Sequence, residues 1–168
     1  MVKDTFFSTP VYYAGLADAE TLNEHLKKDI RAWQKQDPEG TVRSNVAQAG
    51  AWHSATDMHT RGEFNGLTRE IFELVQGTYD ELGYDPDFEP VCDSMWANIN
   101  PRHAYNRHHT HPHALWSGVY YVQAPDDCGL LYFTIRGHKR RYSRLISIRA
   151  DGIPTPGTRC FFNLWRVV

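Results

Sequence analysis

The stretch PVCDSMWANINPRHAYNRHHTHPHALWSGVYYVQAP, residues 90–125, decides how this chain is read. Its opening, residues 90–101, alternates like an extended strand. Trp96, Asn98 and Asn100 fall on one face, with Met95, Ala97 and Ile99 on the other. After a loop, residues 108–125 are again rich in β-formers and closed by Pro125, and GLLYFT (129–134) reads as one more short strand. Five of the nine histidines fall in this stretch, from His103 to His113. An extended backbone would project His109, His111 and, further along, His113 from one face, with His108 pointing away. An H-x-H pair can offer two imidazoles to one first-row metal ion. Non-haem Fe(II) centres use the same local geometry in a His-x-carboxylate pair completed by a distant His. No Asp or Glu stands in this H-x-H, so metal ligation and a solvated histidine-rich loop are both open on spacing alone. Asn106, three residues before His109, is either a turn residue or a hydrogen-bonding group behind the ligands.

Upstream, the pattern switches to helical spacing. Asp18 can cap a helix whose apolar stripe is Leu22, Leu26, Ile30 and Trp33, and Pro38 with Gly40 ends it. A second helix carries Leu67, Ile71, Leu74, Val75, Thr78 and Leu82, with Gly83 at its C-terminal stop. Both are expected to pad a sheet. Before them, TFFSTPVYYAGL (5–16) reads as a short strand or hairpin. Helices followed by several short strands predict an α+β domain on an antiparallel sandwich or barrel.

A length of 168 residues suits one domain, and 18 basic against 20 acidic residues give a net charge of −2, which argues against wholesale nucleic-acid binding. No apolar run is long enough to span a bilayer and the first residues lack a signal peptide's apolar core, so a cytoplasmic protein is expected. The odd cysteine count (Cys92, Cys128 and Cys160) indicates neither a disulfide framework nor a structural zinc site. The total charge conceals a split: residues 135–168 carry +7 and residues 1–134 carry −9.

The order PVYYAGL (10–16), SNVAQAGAWHS (44–54), a long helix, then N-x-x-H-x-H-P and SGVYYV resembles a bacterial family of 2-oxoglutarate and Fe(II)-dependent oxygenases. The core motif is carried here by Asn106, His109, His111 and Pro112, then Ser117 to Val122. The resemblance covers nearly everything up to Thr134. It implies a double-stranded β-helix (jelly-roll, cupin-like) core with two main N-terminal helices packed on it. It further implies Fe(II) held by His109, His111 and a third, distant His, with 2-oxoglutarate as cosubstrate. The chemistry implied is oxidative decarboxylation to succinate and CO2 with hydroxylation of a small-molecule or peptide substrate. His113 is the reserve ligand, and Trp96, Asn98 and Tyr121 are pocket candidates, with Trp96 and Tyr121 equally readable as core aromatics.

The family pattern breaks at Ile135. No histidine follows His138, which sits beside Lys139, Arg140 and Arg141, so the distal ligand and the arginine for 2-oxoglutarate are both missing from the pattern. The chain therefore divides into an oxygenase-like part, 1–134, and an atypical basic tail, 135–168. A one-base deletion explains the break. If the family's T-D-P-R-T is encoded ACC GAT CCG CGG ACA, loss of one C reads Thr-Ile-Arg-Gly and then His or Gln, and the chain has Thr134, Ile135, Arg136, Gly137 and His138. On this reading the tail was never selected to fold with the rest. It should make few buried contacts and leave the sheet incomplete, with an exposed edge that favours self-association. The alternatives are a non-catalytic metal-binding remnant or truncated pseudoenzyme and, ranked last, a nucleic-acid arm.

Overall fold

The computed structural model describes residues 10–44, 50–107, 109–112, 114–125 and 131, together with the backbone of strands 144–149 and 158–167. The chain forms an α+β fold. A strand β1 (Val11–Gly15) precedes helix α1 (Ala19–Gln36) and the single turn α2 (Gly40–Arg43). The short β2 (Trp52–His53) leads through two 3-10 turns, at 58–60 and 62–64, into helix α3 (Asn65–Glu81). Strands β3 (Pro90–Ile99), β4 (Trp116–Tyr121), β5 (Arg144–Arg149) and β6 (Thr158–Val167) follow. No helix is long and apolar enough to cross a membrane among the described residues.

The helices arise as their stripes predict. Leu26, Ile30 and Trp33 of α1 and Leu67, Ile71 and Val75 of α3 are buried on one face of the sheet, while Leu22 and Leu74 are only partly covered. Asp18 does precede α1, but its side chain makes no capping hydrogen bond. The stop after α3 is Gly83 in the left-handed region at φ 67, which a residue lacking Cβ adopts freely. A buried hydrogen bond ties α1 to the sheet: the Tyr120 hydroxyl donates to Asn23 Oδ1 at 2.8 Å.

All six strands form one sheet in the order β1-β5-β4-β6-β3-β2. The sheet is mixed where the sequence predicts an antiparallel one, because β5 runs parallel to both β1 and β4. A long connection between β4 and β5 permits this, since a parallel pair needs a crossover of a dozen residues or more. The basic segment supplies two strands to this sheet. β6 pairs antiparallel between β3 and β4, so by backbone pairing the tail enters the sheet, against the expectation that it stands apart. Whether tail side chains fill the core lies outside the described residues, as do the strand expected at 129–134, apart from Leu131, and His138.

Burial separates the two faces of the sheet. Trp52 of β2, Met95, Ala97 and Ile99 of β3, and Trp116 and Tyr120 of β4 join the helices in the main core. Trp96 and Val119, with Tyr121 packed against them, form a separate cluster on the opposite face. This is the alternation read from residues 95–100, and it places everything described next.

Candidate metal centre

The opposite face presents a row of polar and aromatic groups. His53 pairs with Asn98 across β2 and β3, so both project from the face that carries Trp96. The His53 ring stacks on Trp96, with centroids 5.4 Å apart and planes 12° from parallel. His111 meets the same indole edge-on at 5.6 Å and 83°. Trp96 is thus held between two imidazoles, which is why an aromatic on this strand face stays 8 % exposed without joining the helix-side core. Asn98 is buried at 3 %. Tyr121 lies at the edge of the Trp96–Val119 cluster, partly buried.

The H-x-H segment is a loop, not the extended strand its composition suggests; β4 begins only at Trp116. Pro112 explains the difference, because it has no N–H to give to a sheet ladder. The loop nonetheless brings the two side chains together. His109 Nε2 and His111 Nε2 lie 3.0 Å apart. His109 Nδ1 faces the Arg107 carbonyl at 2.7 Å, and a carbonyl only accepts, so Nδ1 carries the proton and Nε2 the lone pair. His111 Nδ1 is 3.0 Å from the hydroxyl of Ser117, a buried residue of β4. His109 is exposed and His111 partly so, leaving the pair open to an ion from solvent.

Two donors about 2.1 Å from one ion, at a right angle, stand about 3.0 Å apart, so the observed 3.0 Å matches one edge of an octahedral site. Imidazoles suit iron and other first-row ions. Among the described residues no group of three or more His, Cys, Asp or Glu could hold a metal ion. His108 and His113 lie outside the described residues. Asn106 Oδ1 is buried with no hydrogen-bond partner among the described residues, three positions before His109.

His53 is the site residue that spacing did not reveal. It stands 56 positions before His109, and only the β2–β3 register brings it in. Its Nδ1 donates to the Ser54 carbonyl at 2.5 Å. Burial lowers its pKa first of all, and the Arg43 guanidinium and His109 push the same way, while the Ser54 carbonyl opposes them. The stability consequence follows from linkage. An unfolded chain takes up this proton near 6.5, whereas the folded one resists it, so stability falls as pH drops below 6.5 towards the folded value. The unfolding free energy of His53→Gln, measured by urea titration between about pH 7 and pH 5, is expected to fall less steeply than that of the parent. An unchanged slope would show that His53 is not the group responsible.

The fold and the pair together define a class: an α+β sheet carrying two converging histidines in the loop before a buried strand. A family model described as "Putative 2OG-Fe(II) oxygenase" matches residues 94–158, which is 65 of the 168 residues and contains His109, His111 and β4. The match supports the oxygenase resemblance and continues 24 residues beyond Thr134. No curated protein matches the chain.

Proposed function

We propose that the chain carries the metal-binding half of a 2-oxoglutarate and Fe(II)-dependent oxygenase centre, with His109 and His111 as two cis ligands. The single observation that carries this reading is the 3.0 Å approach of the two Nε2 atoms, with His109 fixed as a lone-pair donor by the Arg107 carbonyl. When bound, Fe(II) with 2-oxoglutarate supplies oxidative chemistry, most simply hydroxylation of a small-molecule or peptide substrate. The chain's own residues bind and orient. His109 and His111 hold the ion, Ser117 fixes the His111 ring, and Trp96 walls the site between His111 and His53. Asn106, Asn98 and Tyr121 are the remaining support and pocket groups, and His113 is the reserve ligand. The jelly-roll topology and a cytoplasmic location belong to the same reading.

A second reading, a non-catalytic metal-binding remnant, is favoured by the two-ligand set among the described residues. Calorimetric titration with Co(II), then with 2-oxoglutarate, tests the first reading: saturable one-to-one binding of both supports it, and no binding of Co(II) overturns it. Succinate formation from 2-oxoglutarate by the Fe(II)-loaded chain decides between an active centre and a remnant. Residues 135–168 are read as a frame-shifted segment because one missing base accounts for both their positive charge and the lost distal histidine; against this stand the backbone pairing of β5 and β6 in the sheet and the family match that runs on to residue 158. Sequencing the locus around codon 135 is expected to show the missing base. An intact frame encoding the same residues in homologous strains would overturn it.

A further inference from the structure

The histidine pair poses an electrostatic problem that a third side chain answers. His109 is locked with its Nε2 lone pair outward, because its Nδ1–H is committed to the Arg107 carbonyl. If His111 presented a lone pair as well, two lone pairs would face each other at 3.0 Å. The arrangement is favourable without a metal only if His111 Nε2 carries a proton and donates it to His109 Nε2. His111 Nδ1 must then accept, and the group 3.0 Å from it is the Ser117 hydroxyl, which can donate. With a metal the requirement inverts. Both Nε2 atoms must present lone pairs, so His111 carries its proton on Nδ1, and Ser117 must accept. A hydroxyl is among the few side-chain groups that do both, by rotating one O–H bond. Backbone carbonyls or carboxylates in this place would fix one tautomer and forbid the other.

We infer that Ser117 is a positioning residue that lets His111 exchange tautomers, holding the empty pair together in one state and releasing it to a metal in the other. The exchange moves one proton off His111 Nε2 and one on to Nδ1, so the imidazole stays neutral and no net proton is released. Ser117 suits the task because it is 4 % exposed and stands on β4, whose backbone is paired on both sides by β5 and β6, with its hydroxyl 3.0 Å from His111 Nδ1 and free to turn its hydrogen. The inference rests on the metal-binding reading above, and its test separates the two.

Nitrogen-15 chemical shifts of the imidazoles distinguish the tautomers directly. The His111 resonances are assigned by their loss in His111→Asn. In the metal-free parent above pH 7.5 (roughly one unit above the ordinary histidine value), His111 is expected as the Nε2–H tautomer and His109 as the Nδ1–H tautomer. One equivalent of Zn(II), a diamagnetic probe, is expected to convert His111 to the Nδ1–H form. Ser117→Ala is expected to weaken Zn(II) binding about 10–100-fold, the usual cost of losing a ligand's outer hydrogen-bond partner. The Nδ1–H tautomer of His111 in the metal-free parent overturns the inference, as does undiminished Zn(II) affinity in folded Ser117→Ala. Failure of the parent to bind Zn(II) overturns the metal-binding reading, while the metal-free tautomers still test Ser117 as partner of the empty pair.

Discussion

Replacing His109 or His111 with alanine is expected to remove specific Co(II) binding, a loss larger than the roughly 10–100-fold that an outer partner costs. The reason is geometric. A single imidazole leaves one contact from a loop, whereas the pair offers two lone-pair donors spaced as one edge of an octahedron, 3.0 Å apart. Six of the nine histidines lie outside His109, His111 and His53, so a control is needed for weak surface binding. His25→Ala serves: it is exposed on α1, far in sequence from the pair, and should leave the isotherm unchanged. Calorimetry and the visible spectrum of Co(II) are the measurements. Parent-like affinity in either His109→Ala or His111→Ala would sink the assignment.

The largest stability effect is expected at Trp52. Its ring is fully buried, meets Trp33 edge-on at 5.8 Å and 77°, and its Nε1–H donates to the Asp37 carbonyl at 2.8 Å. Trp33 in turn packs on Phe64 at 5.6 Å and carries the Arg61 guanidinium 3.9 Å over its face. Trp52→Ala therefore opens a cavity at the junction of α1, α2 and β2 and orphans a carbonyl, at a cost of about 3–5 kcal/mol. For a chain of this size that lowers the melting temperature by roughly 10 °C, readable by circular dichroism. Gly40 gives an independent check of the same contact. A Cβ there would sit 2.0 Å from Trp52 Nε1, so Gly40→Ala must displace the ring or the α2 backbone. A cost of about 1–3 kcal/mol is expected. A neutral Gly40→Ala would mean that the ring is not seated against α2.

These two sites differ in how far the sequence foretold them. The histidine pair was legible because both residues and their motif lie within a few positions of each other. The conformation of the segment was not, since β-forming neighbours suggested a strand and Pro112 ended that option. Trp33 was placed by its helical stripe, but its partner Trp52 is brought to it by the turn at Pro38 and by α2, which no periodicity announces. His53 and Ser117 were visible only as letters in AWHS and SGVYYV. Their roles depend on which strand lies beside which.

The sequence by itself determined the helices and the two faces of β3. Each of these follows from spacing along a single segment, where side-chain direction repeats every 3.6 or every two residues. Tertiary structure alone decided the mixed sheet, the entry of β5 and β6 between earlier strands, and the placing of His53 against Trp96 and Ser117 against His111. Strand pairing is satisfied by backbone groups that every residue carries, so the choice of partner is written in long-range packing and not in any one stretch of residues.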